Sequence, residues 1–191
     1  MRGTACPTHD RCEITVTDRA TIIGIDLALT ATGVALLHGA EAPSAATMDP
    51  GSLRGVKRLV WYRGALDTCM VDLEGARPTL CVVEGYSFAS KNGREAAGEL
   101  GCVLRLLCHD AGVPLLVVPP STLKKYVTGK GTADKAQMML RVYQRWGFDP
   151  SDDHQADAYA LAQFGRESLA GPDKQTKAFK AFLGKATREV A

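Results

Sequence analysis

The sequence has no apolar run approaching the ~18 residues of a membrane-spanning helix, and its first residues lack the basic-then-apolar pattern of a secretory signal. Both absences point to an intracellular protein with no membrane attachment. There is no paired Cys-x-x-Cys, so the six cysteines read as reduced thiols and not as a disulfide frame. Cys81, Cys102 and Cys108 lie in apolar segments, where a free cysteine behaves as a small hydrophobe. Cys6, His9 and Cys12 have ligand-like spacing, but three ligands in a polar leader argue less for zinc than for a leader without stable structure. A strong charge imbalance is also lacking: a net charge of +2 over 191 residues does not by itself imply a nucleic-acid partner. No internal repeat is present.

What the sequence does contain is organised around residues 21–37. Ile22, Ile23, Ile25 and Leu27 form a short, nearly continuous run rich in β-branched residues, as in a strand buried on both faces. Asp26 interrupts it near its end. A buried carboxylate must be paired, bound to a metal or protonated, although an Asp near a strand end also serves simply to bond turn amides. Thr30, Thr32 and Gly33 lead to a second apolar run, Val34 to Leu37, which makes the stretch a hairpin.

Around it, residues 1–19 form a polar leader, 20–170 a single α/β domain and 171–191 a basic tail. A short edge strand is predicted near Ala45–Met48. Helical spacing of Leu53, Val56, Leu59, Val60, Leu66, Met70 and Leu73 predicts an amphipathic helix over 53–74, capped by Ser52. Thr79 to Glu84 is a second buried strand that again ends in a carboxylate. A Gly-containing loop with Tyr86, Phe88 and Lys91 precedes a helix over 94–111, whose stripe is Leu100, Val103, Leu104 and Leu107. Val113–Val118 is a third strand. A basic loop or short helix follows, then a helix from a Thr132 cap to Trp146. The last main helix, about 153–169, is capped by Ser151, Asp152 or Asp153. The tail, with Phe179, Phe182 and Leu183 among lysines, is either a docking helix or a segment ordered on binding. This order implies a mixed sheet with helices on its faces.

Four positions carry chemistry: Asp26 and Glu84 at strand ends, and His154 and Asp157 on one face of the last helix. Asp153 shares that face, but serves more readily as a cap than as a ligand. Carboxylates brought together repel one another. A divalent cation removes that penalty, and hard oxygen ligands suit Mg²⁺ or Mn²⁺. Two such ions about 4 Å apart are a known solution for phosphodiester hydrolysis.

These motifs resemble those of the RuvC-type Holliday junction resolvases of the ribonuclease H-like superfamily. Gly24-Ile-Asp-Leu27 with Thr32-Gly-Val-Ala35 resembles the first motif and Val82-Val-Glu84 the second. Thr128-Gly-Lys-Gly-Thr-Ala-Asp-Lys135 is similar to the glycine-and-lysine motif, and His154 to Ala162 to the closing helix. The likeness covers about residues 21–165. It implies a ribonuclease H-like mixed five-stranded sheet with helices on both faces. It also implies metal ligands Asp26, Glu84, His154 and Asp157, with Asp153 in competition for the fourth place, and two Mg²⁺ or Mn²⁺ ions per site. Lys124 and Lys135 then support phosphate binding and catalysis. An aromatic side chain, Phe88 or its neighbour Tyr86, stacks on bases. The resemblance further implies a homodimer through helix 94–111 that nicks four-way junctions symmetrically.

The charge distribution agrees. Residues 121–145 carry Lys124, Lys125, Lys130, Lys135, Arg141 and Arg145 against Asp134 alone, a footprint suited to phosphates. Lys91, Arg94, Lys124, Lys125, Lys130 and Lys135 are the expected DNA contacts, and Arg141 and Arg145 compete with the reading of a solvated helix face. Three rivals stand beside this expectation. An actin-like sugar kinase matches Gly24-Ile-Asp-Leu27, but needs a second phosphate loop that the chain lacks. A nuclease for flaps, forks or RNA shares the metal chemistry. A non-catalytic junction-binding dimer has no need of clustered acids.

Overall fold

The computed structural model describes residues 20–70, 77–85 and 94–189. The leader with Cys6, His9 and Cys12, the loop positions Tyr86, Phe88 and Lys91, and the Arg94 side chain lie outside the described residues.

The apolar run at the start of the hairpin becomes β1 (Thr21–Asp26), every residue of which is buried. It pairs antiparallel with β2 (Thr32–His38), Asp26 opposite Gly33. The turn between them is closed by the Thr32 hydroxyl, which donates to the Ala28 carbonyl at 3.0 Å and accepts from the Ala28 amide at 3.2 Å. On the other side of β1 lies β4 (Leu80–Glu84), parallel, with Ile25 beside Val83. With β3 (Ser44–Met48), β5 (Leu115–Val118) and β6 (Thr187–Glu189), the sheet has the order β3-β2-β1-β4-β5-β6. It therefore has one strand more than the sequence led us to expect. β6 comes from the tail and pairs antiparallel with β5.

Helices α1 (Gly55–Asp67), α2 (Arg94–Ala111), α3 (Pro120–Thr128), α4 (Lys135–Trp146), α5 (Asp153–Leu169) and α6 (Lys177–Leu183) cover both faces. Side chains alternate between faces with period two. Ile23, Ile25, Cys81, Val83 and Leu115 meet α1 and α2. Ile22, Leu80, Val82, Leu116 and Val118 meet α3 to α6. By the same alternation Asp26 and Glu84 belong to the α5 face, and this places the site.

The boundaries of α2 and α5 agree with the pattern reading, as does the edge strand β3. Other expectations are corrected. α1 starts behind Arg54, with no side-chain cap from Ser52. It buries Tyr62 and Leu66 and leaves Val56 71% and Val60 65% exposed. Tyr62 is taken inside because its hydroxyl donates to the Ala28 carbonyl at 3.0 Å. The cap of α4 is Asp134, which accepts from the Gln137 amide, and not Thr132. The basic stretch after β5 is helical, and Cys102 is exposed.

Candidate active site

α5 lies on the sheet more closely than a helix with ordinary side chains between it and the strands. A Cβ on Gly24 of β1 would stand 2.1 Å from the Ala158 carbonyl oxygen, and one on Gly33 of β2 2.0 Å from that of His154. Only glycine fits there. The first turn of α5 is therefore pressed against the ends of β1 and β2. Asp152 fixes its start: one carboxylate oxygen accepts from the Gln155 amide at 2.8 Å, the other from the Thr47 hydroxyl of β3 at 2.6 Å.

This docking brings the four candidate residues together from three elements. His154 Nδ1 is 2.8 Å from Asp26 Oδ2. Asp26 and Glu84 stand side by side, one residue beyond the paired Ile25 and Val83. Asp157, one turn into α5, has a buried Oδ1 with no hydrogen-bond partner. Burial, followed by the Asp26 and Asp157 charges, pushes the Glu84 carboxyl up to about 8. Burial, followed by the Asp26 and Asp153 charges, pushes Asp157 up to about 7. The Lys124 ammonium acts against both shifts, so α3 delivers its half-buried lysine to this cluster. The hydrogen bond that His154 donates to the Asp26 carboxylate raises the pKa of His154.

Asp153 behaves differently. It forms an ion pair with Lys135 at the start of α4, which holds its carboxyl below the usual range and raises the lysine. It is not the helix cap, which is Asp152. Lys125 and Lys130 are exposed near the same end of α3. Arg145 is a packing residue: its guanidinium lies over the Tyr126 and Trp146 rings and donates to the Tyr126 carbonyl at 2.6 Å.

The donor set suits a hard divalent cation. Carboxyls whose pKa is pushed up by burial and by one another, and an orphaned carboxylate oxygen, are what such an ion relieves. Among the described residues no three His, Cys, Asp or Glu side chains already form a ready-made cage. The Thr47–Asp152–Gln155 anchor was not found in the sequence, since nothing local marks a contact between residues so distant along the chain.

No family model matches the chain. The crossover junction endodeoxyribonuclease RuvC of Frankia alni is 32% identical over 148 residues, 74% of this chain and 75% of its own. That of Nocardia farcinica is 30% identical over 151 residues, 74% of this chain and 78% of its own. The structure of Thermus thermophilus RuvC aligns with TM-score 0.63 at 24% identity, over 88% of this chain and 99% of that one. The structure of the same protein in complex with Holliday junction substrate aligns with TM-score 0.65 at 23% identity, over 90% and 100%. The mixed sheet flanked by helices is the ribonuclease H-like fold of those structures.

Proposed function

This chain belongs to the RuvC family of crossover junction endodeoxyribonucleases, and we propose that it is a divalent-metal-dependent endonuclease that resolves Holliday junctions by paired nicks. The observation that carries the reading is the convergence of Asp26 and Glu84, at adjacent strand ends, with His154 and Asp157 of the helix that crosses them.

Asp26, Glu84, His154 and Asp157 would hold two Mg²⁺ or Mn²⁺ ions. When bound, such ions activate the attacking water and stabilise the leaving 3′ oxygen, which leaves 5′-phosphate ends. The protein's own part is positional. Asp26 orients the His154 ring through Nδ1. Burial and neighbouring charge raise the pKa of Glu84 and Asp157, so uptake of a cation there would be coupled to release of protons. Lys124 places a positive charge beside the acids, where a scissile phosphate enters. Lys135, oriented by Asp153, carries a second. Lys125 and Lys130 extend the phosphate track. Phe88, Lys91 and Arg94, which follow β4 in the sequence, would add contacts to DNA.

Two copies joined through α2 would present two such sites to a junction. Support comes from exposed apolar surface on the side opposite α5: Leu106 of α2 is 62% exposed, and Val56 and Val60 of α1 add to it. The protein would act on DNA inside the cell, and among the described residues no helix is long and apolar enough to cross a membrane.

The test is a cleavage assay on a mobile four-way junction, a flap, a linear duplex and single-stranded DNA, each with Mg²⁺ and with EDTA. The expected result is symmetric, Mg²⁺-dependent nicking confined to the junction. Equal cutting of flaps would retain the metal centre and shift the substrate to branched DNA in general. Junction binding with no cleavage would overturn the enzymatic reading.

A further inference from the structure

Residues 171–191 carry five cations, Lys174, Lys177, Lys180, Lys185 and Arg188, against Asp173 and Glu189. That is a surplus of three in a chain whose net charge is +2, so the other 170 residues hold one more acid than base. The net positive charge of the protein therefore resides in its tail. All five cations are exposed. Of the two acids, Glu189 is bound by Arg105 of α2 in a double contact, Nε to Oε2 at 2.9 Å and the terminal nitrogen to Oε1 at 3.2 Å.

These cations are not on a loose tether. Phe179 is 1% exposed and packs its ring 4.9 Å from Phe164 and 5.7 Å from Tyr126. Phe182 adds a contact 6.2 Å from Tyr126. Gln175 donates to the last carbonyls of α5, the nearest being Ala170 at 2.8 Å. Thr176 caps α6, and β6 pairs with β5. Aromatic burial and strand pairing thus hold a segment whose outward side is cationic.

The topology places the β6 end of that side near the acids, while Gln175, bonded to the last turn of α5, puts Lys174 toward the opposite end of the sheet. Glu84 is paired with Val118 at the carboxyl end of β5, and Thr187 lies opposite Val117. The chain therefore enters β6 from the end of the sheet that carries Asp26 and Glu84, and Lys185 stands just before that entry. Arg188 shares the register position of Leu116, which faces α3 and α5. Two strand spacings separate β6 from β4, about 10 Å, well within the width of a DNA duplex. Tyr126, on which the tail is anchored, lies in α3 next to Lys124 and Lys125.

We propose that the tail is a second phosphate-binding surface, continuous with the lysines of α3, which grips the backbone of a duplex arm beside the cleavage centre. The inference rests on the proposed function, because it presumes branched DNA as the substrate. It is independent of the four acidic-site residues.

The test uses the full chain with Lys174, Lys177, Lys180, Lys185 and Arg188 all changed to Gln, and a companion in which the four lysines become Arg. Binding to a four-way junction is measured in EDTA between about 50 and about 200 mM salt. The glutamine variant should lose about 0.9 in the slope of log Kd against log salt for each phosphate contact removed, with a total loss of about two or more and at least a tenfold weaker Kd at the low-salt end. Its melting temperature and its single-turnover cleavage rate at saturating protein should match wild type. The arginine variant should keep the wild-type slope. An unchanged slope and Kd in the glutamine variant, with wild type binding and cutting the junction, would overturn this inference alone. A changed sedimentation coefficient with an unchanged slope would make the tail a contact between copies and also overturn it. If wild type neither binds nor cuts the junction, the proposed function fails first.

Discussion

His154 Nδ1 and Asp26 Oδ2 stand 2.8 Å apart across the join between the last main helix and the first strand, 128 positions apart along the chain. They are hydrogen-bond partners at the end of the sheet, and both belong to the cation site proposed above. The contact couples helix docking to chemistry.

Asp26→Asn should therefore abolish cleavage while the fold and junction binding survive. Loss of a positioned ion removes several kcal/mol of transition-state stabilisation, about a thousandfold or more in rate. His154→Ala should fall nearly as far, whereas Asp153→Ala, which breaks only the Lys135 ion pair, should cost about tenfold or less. Single-turnover cleavage with Mg²⁺ reads all three. A silent His154→Ala with a dead Asp153→Ala would make Asp153 the fourth ligand.

The acids set a pH dependence of known sign. Glu84 is pushed up from 4.5 to about 8 and Asp157 from 3.8 to about 7. Between the unfolded and the folded values, the native protein holds protons that the unfolded chain has released. The contribution of these two groups to metal-free stability is then fully present below the unfolded values and is lost as the pH rises through 7 and 8. Glu84→Gln should raise the melting temperature in EDTA at about pH 8, with little effect at about pH 4. The rise should be about 2–4 °C for each kcal/mol of relieved repulsion. The same substitution should abolish cleavage, and Mg²⁺ should stabilise wild type more than the variant. Thermal melts across pH, with and without Mg²⁺, check the sign.

Gly33→Ala should damage the site from a distance. Its new methyl would meet the His154 carbonyl oxygen at 2.0 Å, a backbone atom that cannot swing away. The first turn of α5 must lift, and overpacking of this kind costs about 1–3 kcal/mol. Cleavage should drop by more than the loss of stability explains, because His154 and Asp157 move with the turn. Comparing cleavage with melting temperature for Gly33→Ala and for an exposed substitution such as Gly171→Ala separates the two effects; nothing lies within 4 Å of a Cβ at Gly171.

Asp152→Ala removes both the cap of α5 and its tie to Thr47. The expected loss is about 1–2 kcal/mol of stability. Thr47→Val keeps the cap and loses only the tie, so it should cost less. Equilibrium denaturation of both variants tests the order.

Much of this arrangement is legible in the sequence, for identifiable reasons. β1 and β4 are buried on both faces, so they read as short apolar runs, and a carboxylate at the end of each stands out against that background. The boundaries of α2 and α5 follow from periodicity and from Gly and Pro stops. What escapes is decided by partners far away in the chain. Tyr62 is placed inside by a carbonyl in the β1–β2 turn, against a helical stripe that pointed to Val56 and Val60. The choice of Asp152 as cap depends on its extended backbone (φ −153°, ψ 175°), which its neighbours Ser151 and Asp153 could equally have adopted. β6 is three residues long and exists by virtue of β5, with no pattern of its own. The roles of His154, Asp153 and Lys135 are divided by geometry, since spacing places both acidic-side neighbours on one face.

The close seating of α5 on Gly24 and Gly33 also bears on how the protein is made. β1 leaves the ribosome before α5, so until α5 is made the nascent chain carries Asp26 and Glu84 without His154 or Asp157, and the α5 face of β1 has no cover. A product truncated before α5 would be harmless to DNA and prone to aggregate through that bare apolar face. On the proposed site, the capacity to cut DNA thus emerges only once α5 has been made and has closed on β1.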